Sequence, residues 1–95
     1  MIYKLRPGIV RLNICGQDLL TATRQLWEEF PAVRPVPALW GFCCGMMSHG
    51  KTSEDVMRIV GKLYGKPADD FRAKFEPVFE ELYQLGYLIP DESEP

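Results

Sequence analysis

The sequence predicts an α+β fold in which an N-terminal three-stranded antiparallel sheet is followed by three helices. Apolar and polar residues alternate over the first quarter of the 95-residue chain, which is the period of half-buried strands. From residue 37 onward, apolar residues recur at the three- and four-residue spacing of amphipathic helices. The composition, 46% hydrophobic and 25% charged, is that of an ordinary globular domain.

The first two strands form a predicted hairpin. The first strand alternates polar side chains with apolar ones on its buried face, and the apolar residues are Val10, Leu12 and Ile14. Gly16 and Gln17 fit a two-residue type II′ turn, because glycine supplies the positive φ angle. The second strand is expected over residues 18–23, with Leu20 and Ala22 on one face.

The third strand is predicted at Val33–Val36, after a connection over residues 24–30. Pro35 lies inside it and has no N–H to donate. A central strand needs that donor, so we expect the third strand at an edge of the sheet.

The first helix is predicted between Pro37, which suits a first turn, and Gly50, which suits a left-handed C-terminal position. Its core stripe consists of Leu39, Phe42, Cys43, Met46 and Met47. Trp40 and Cys44 form a second apolar face beside that stripe. The domain is small, so this face either is packed into a crowded core or is open in part to another protein.

Two further helices complete the predicted core. Thr52 or Ser53 caps the second helix and Gly65 ends it. The third helix opens near Pro67 and contains Pro77, which should kink it. Their apolar stripes are Val56, Ile59, Val60 and Leu63 in the second helix, and Phe71, Phe75, Val78, Phe79, Leu82 and Leu85 in the third.

The segment "GMMSHGKT" at 45–52 matches the P-loop pattern of nucleotide-binding proteins. A working P-loop follows a buried parallel strand, whereas the residues before Gly45 carry the stripe of a helix. We therefore interpret Gly50 as the end of one helix, Thr52 as the cap of the next and Lys51 as a solvated linker residue. Nucleotide binding stays a minor alternative.

The sequence offers little for catalysis or metal binding. Cys43 and Cys44 are adjacent on a helix, so their side chains diverge by about 100° and cannot chelate one metal together. With Cys15 they make an odd count without framework spacing, which favours free thiols. His49 is the one histidine and has no orienting carboxylate near it in sequence. We expect no catalytic residues, no metal site and no cofactor.

Charge and hydropathy indicate which kinds of partner and which location to expect. No stretch is long and apolar enough for a membrane span, and no signal peptide is evident, so the chain is expected to be cytoplasmic. Residues 1–66 are net positive without a dense basic run, which disfavours nucleic acid. The domain is assigned to 1–89, and 90–95 to an acidic disordered tail.

Several segments together resemble the PqqD-like family, the peptide-recognition domains of RiPP (ribosomally made peptide) biosynthesis. They are "YKLRPGIVRLNICGQDLLTATR", "GKTSEDV", "LYG" and "FEELYQLGYL", and the resemblance covers about residues 3–89. In this family a Gly-Lys-Thr often joins the first two helices, which would account for the P-loop letters.

The resemblance implies a winged-helix-like fold and a non-catalytic role. Such domains bind the leader of a precursor peptide as an added strand and deliver it to a modifying enzyme, often a radical SAM enzyme. The implied receiving strand is Val33, Arg34, Pro35 and Val36, and the implied groove side of the third helix is Lys74, Val78, Glu81 and Leu85. Pro35 and Pro77 depart from the family pattern within these elements.

Two other interpretations stay open. A winged-helix DNA-binding regulator is the main alternative, since the helical part carries Lys51, Arg58, Lys62 and Lys66. A typical winged helix places its strands after its helices, which argues against it. A small domain with spare apolar surface is also open to homodimerisation, including strand exchange.

Overall fold

The computed structural model describes residues 2–23, 26, 28–29 and 33–91. It is an α+β fold with a three-stranded antiparallel sheet and three helices, as predicted. The elements in chain order are β1 (Tyr3–Leu5), β2 (Ile9–Ile14), β3 (Gln17–Ala22), β4 (Arg34–Val36), α1 (Ala38–Met47), α2 (Ser53–Tyr64), α3 (Asp69–Gln84) and β5 (Leu88–Pro90).

The hairpin of β2 and β3 turns one residue earlier than predicted. Ile14 pairs with Gln17, which leaves Cys15 and Gly16 as the two turn residues. Both have positive φ angles, 53° and 82°. Two positive angles define a type I′ turn, so the type II′ prediction at Gly16-Gln17 is wrong.

The buried face of the hairpin is also the opposite of the one predicted for β2. Ile9, Leu20 and Ala22 belong to the core, whereas Leu12 and Ile14 are exposed. Arg11 and Asp18 lie on the helix side of the sheet, where they form an ion pair and approach α1. Pairing of the two charges lets polar residues occupy the inner face, so alternation alone points to the wrong side.

A second, two-stranded sheet joins the two ends of the described chain. Leu5 pairs with Leu88 and Tyr3 pairs with Pro90 in the antiparallel pair β1–β5, which the sequence analysis missed. The Asp91 N–H donates to the Ile2 carbonyl at 2.8 Å, so the ordered pairing passes the predicted boundary at residue 89. Residues 92–95 of the predicted tail lie outside the described residues.

Tyr3 fixes this small sheet to the helices. Its N–H donates to the Ser53 hydroxyl at 2.9 Å, and its own hydroxyl donates to the Glu80 carboxylate at 2.6 Å. The Tyr83 ring lies 5.1 Å from the Tyr3 ring. The first strand is therefore tied to the start of α2 and to the last turns of α3.

The first helix buries a different set of residues from the one predicted. Cys43, Cys44 and Met47 are buried, and Trp40 packs against the core. The face of Trp40 and Cys44 is thus turned inward, so of the two alternatives for this face the structure shows the crowded core and not the surface open to a partner. Phe42, predicted in the core, is 39% exposed. α1 also ends three residues before Gly50.

The second and third helices follow the sequence signals closely. Thr52 and Asp55 form a capping box, and Gly65 ends α2 with a φ of 66°. α3 continues through Pro77, and its Phe75, Phe79 and Leu82 are buried. One core prediction fails, since Leu63 is 75% exposed. Between the two helices, Arg72 donates to Glu54 at 2.8 Å.

Candidate functional site

The outer edge of β4 is the first part of the candidate site. Within the described residues β4 pairs with β3 alone, in the register Asp18↔Val36, Leu19↔Pro35 and Leu20↔Arg34. This confirms the predicted edge position. One side of β4 is hydrogen-bonded to the sheet, and the other side is available to an added strand.

Proline chemistry determines which backbone groups of β4 point outward. Neither Pro35 nor Pro37 has an N–H, so Arg34 and Val36 must supply the donors to β3. The Val36 carbonyl also accepts a hydrogen bond from the Gln17 side chain at 3.2 Å, which places it on the β3 side. Directions alternate along a strand, so the nitrogen and carbonyl of Pro35 face outward.

The outer edge of β4 therefore offers few backbone groups for hydrogen bonds to an added strand. The same alternation, continued by one residue, directs the N–H and C=O of Val33 outward. An incoming strand would meet two acceptors, the carbonyls of Val33 and Pro35, and one donor, the Val33 N–H. Val33 is 45% exposed, whereas Val36 is 4% exposed and belongs to the core.

The four α3 residues predicted for the site form two pairs that differ in exposure. Val78 and Leu85 are half-buried and pack against the same core cluster that contains Val36. Lys74 and Glu81 are exposed. β4 packs mainly against β3, whereas α3 packs mainly against α2 and β5, so the shared core does not bring these α3 residues directly beside the outer edge of β4.

The charged residues predicted for the site have no side-chain partners among the described residues. Among the described residues, Arg34, Lys74 and Glu81 make no side-chain hydrogen bond or ion pair within 4.0 Å. Charges without internal partners can pair with a ligand at low desolvation cost. Lys74 lies apart from β4, in a groove formed by the helices.

That groove is a feature that the sequence analysis missed. It has a volume of about 380 Å³ and lies among the three helices. Its lining residues are Leu39, Phe42, Val60, Leu63, Tyr64, Phe71, Lys74 and Phe75. Tyr64, which is 70% exposed, contacts Phe71 with ring centroids 5.8 Å apart. Leu39 follows Val36 by three residues, so the groove begins within about 11 Å of the end of β4. The sequence signal was the apolar pair Leu63-Tyr64 just before the terminating Gly65.

The P-loop letters have a structural role in this fold. Gly45 lies inside α1, so the strand that a P-loop requires is replaced by a helix. The Thr52 hydroxyl accepts from the Asp55 N–H at 3.2 Å, and the Asp55 carboxylate accepts from the Thr52 N–H at 3.1 Å. Because these groups satisfy each other, the start of α2 is occupied by its own cap.

The ionisable groups inside the protein have pKa values far from those useful at neutral pH. Burial raises the pKa of the Cys43 and Cys44 thiols to about 12, so neither is a thiolate nucleophile. The hydrogen bond to Glu80, together with burial, raises the pKa of Tyr3 to about 12. In the described ranges, no group of three or more His, Cys, Asp or Glu side chains is arranged to hold a metal ion.

The basic residues of the DNA-binding alternative lie on the surface. Lys51, Arg58, Lys62 and Lys66 are all exposed. Arg58 is already paired with Asp55 at 2.9 Å. Arg58 and Lys62 are one turn apart on the solvent side of α2, which is a short basic patch rather than a continuous stripe.

Comparisons of the chain with family models, with curated proteins and with solved structures found no match. None of the helices among the described residues has both the length and the apolar character needed to cross a membrane. The geometry of β4 and α3 and the sequence resemblance are therefore what bear on function.

Proposed function

We propose that this chain is a non-catalytic peptide-binding module that receives a ribosomally made precursor peptide and presents it to a modifying enzyme, such as a radical SAM enzyme. The observation that carries the proposal is the outer edge of β4. It is the edge of a three-stranded sheet and is exposed at Val33, Arg34 and Pro35. The resemblance to PqqD-like domains supports the same assignment.

The leader segment of the precursor would add as a fourth strand beside β4. Its N–H groups would donate to the carbonyls of Val33 and Pro35, and one of its carbonyls would accept from the Val33 N–H. Main-chain bonds of this kind give affinity without sequence preference. Selection then falls to side chains: Arg34 at β4 itself, and on α3 the residues that the resemblance implies, with apolar contacts at Val78 and Leu85 and charges at Lys74 and Glu81.

A ¹⁵N-HSQC titration tests the proposal. The ligand is the leader of a short peptide encoded beside this gene, and a scrambled leader is the negative control. We expect shifts at the amides of Val33, Arg34 and Val36 and in α3 from Lys74 to Leu85. The variant Val33→Pro removes the outward donor and should weaken binding without unfolding the sheet, because that N–H makes no described hydrogen bond within the protein.

Two results would contradict the proposal. In the first, the leader produces no shifts at β4 and α3 at millimolar peptide. In the second, the protein is retained on a duplex DNA column at low salt and released as salt increases. The slope of log affinity against log salt concentration would then be proportional to the number of phosphates contacted. The second result would favour the DNA-binding alternative at Lys51, Arg58, Lys62 and Lys66.

A further inference from the structure

The three-stranded sheet has an apolar face that the helices do not cover. Residues directly opposite each other in an antiparallel pair share a face. The register therefore places one set together on the side away from α1, which we call the outer sheet face. Its members are Val10, Leu12, Ile14, Gln17, Leu19, Thr21 and Pro35.

This face lies outside the hydrophobic core. Among the described residues, Val10, Leu12, Ile14 and Leu19 belong neither to the core cluster nor to the half-buried residues packed against it. Leu12 is 38% exposed and Ile14 is 56% exposed. In a sheet with one solvated face, that face is normally polar.

The distribution of charge in this sheet is inverted. The three charged residues of β2, β3 and β4 are Arg11, Asp18 and Arg34, and the register places all of them on the helix side. The outer sheet face carries no charge. A sheet with apolar residues outside and an ion pair inside is what a two-layer arrangement requires, with a second layer over the outer face.

We propose that the outer sheet face docks a second copy of this chain, face to face, in a two-fold symmetric dimer. A two-fold interface brings the same patch of both copies together, so the patch must be compatible with itself. A face without charge meets this condition, since the contact neither opposes like charges nor buries an unpaired one. A partner that is recognised by its charge would find no counter-charge here.

The size of the face limits the strength of the dimer. Two strands of six residues and one of three, about 4.8 Å apart, give a footprint of roughly 240 Å². Stable interfaces bury about 800 Å² per partner, so we expect a weak dimer with a Kd on the order of 100 μM. The outer edge of β4 is at the rim of this face, and it stays open in the dimer.

Sedimentation velocity of the full chain from 10 μM to 1 mM tests the inference. The wild type should show a concentration-dependent dimer whose Kd changes less than twofold between 50 and 500 mM NaCl, because no charges are involved. Ile14→Lys, which places a charge on the outer sheet face, should raise the Kd at least tenfold. Leu63→Lys is the matched control, an exposed apolar residue in the helical groove, and should leave the Kd unchanged.

Three outcomes would overturn the inference. The wild type could be monomeric at 1 mM, which would leave the face to a different protein or to solvent. The dimer could survive Ile14→Lys and dissociate in Leu63→Lys, which would assign it to the helical groove. The dimer could weaken steeply with salt, which would assign it to a charged surface. Thermal melts of both variants establish that each is folded before the comparison.

Discussion

Asp18 of β3 fits against Gly41 of α1 so closely that a methyl group at Gly41 would overlap with the Asp18 Cγ. The Asp18 carboxylate accepts hydrogen bonds from Arg11 Nε at 2.9 Å and Asn13 Nδ2 at 3.1 Å. It is buried. One carboxylate therefore joins two strands of the hairpin to α1, and the absence of a side chain at Gly41 makes room for it.

Gly41→Ala is expected to destabilise the protein by about 1–3 kcal/mol, because the added methyl forces Asp18 or α1 to move. The gain in helix propensity, about 1 kcal/mol, offsets only part of that strain. Urea denaturation measures the change. The control is Gly45→Ala in the same helix, where the nearest atom, Arg11 Nη1, would be 3.5 Å from the methyl. Gly45→Ala should be neutral or stabilising, and equal losses in both variants would contradict this account.

Acid should weaken the same contact. The hydrogen bond from Asn13 and the Arg11 guanidinium lower the pKa of Asp18, in spite of its burial. A carboxyl with a lowered folded pKa contributes stability that is fully present above its unfolded pKa, near 3.9, and is lost as the pH falls through the folded value. We expect the free energy of unfolding to fall below about pH 4.

The Asp18→Asn variant separates this carboxyl from the others. Its free energy of unfolding at neutral pH should be lower than that of the wild type, and its further loss between about pH 4 and pH 2 should be smaller. Asp70→Asn is the control, because Asp70 is exposed and has no described ion-pair partner. An acid profile that is the same in all three proteins would show that Asp18 does not contribute.

The three cysteines should differ sharply in reactivity. Cys15 is exposed in the hairpin turn, whereas Cys43 and Cys44 are buried and their pKa values are raised to about 12 by burial. Alkylation with iodoacetamide at about pH 8 should modify one cysteine in the native protein and three in denaturant, since the thiolate is the reactive form. Mass spectrometry counts the adducts. Native Cys15→Ser should take none, and rapid labelling of Cys43 or Cys44 would contradict the buried placement.

Local signals predict most of the elements but not their long-range pairing. The cap at Thr52, the stop at Gly65 and the edge position of Pro35 each follow from the chemistry of one residue, and the structure confirms all three. The pairing of Tyr3 with Pro90 joins residues at opposite ends of the chain. Nothing in either three-residue strand specifies the other, so sequence patterns could not indicate it.

The prediction of which face of β2 is buried failed for a different reason. Alternation in β2 separates Leu12 and Ile14 from Arg11 correctly, yet the side that faces the helices is the charged one. The missing information was the partner of Arg11, because only a buried Asp18 makes that side suitable for the interior. The candidate site was also predicted only in part. The sequence indicated that the third strand lies at an edge, but the outward direction of the Pro35 backbone groups follows only from the register with β3.

The direction of Pro35 leads to the most specific prediction about function. Its nitrogen faces the outer edge of β4, where the missing hydrogen leaves an incoming peptide carbonyl without a donor. Pro35→Ala restores that donor and adds one hydrogen bond to the complex, worth about 0.5–1.5 kcal/mol. We expect the leader peptide to bind about three- to tenfold more tightly, measured by calorimetry.

Val33→Pro makes the opposite change, since it removes the existing outward donor, and it should weaken binding by a similar factor. Pro67→Ala is the control for the general effect of losing a proline, because Pro67 is exposed and precedes α3. A higher leader affinity in Pro35→Ala, a lower one in Val33→Pro and an unchanged one in Pro67→Ala are the combined result expected only if the peptide backbone pairs with the outer edge of β4. If all three variants bind the leader like the wild type, strand addition at β4 is wrong, and the helical groove at Phe42 and Lys74 becomes the site to test.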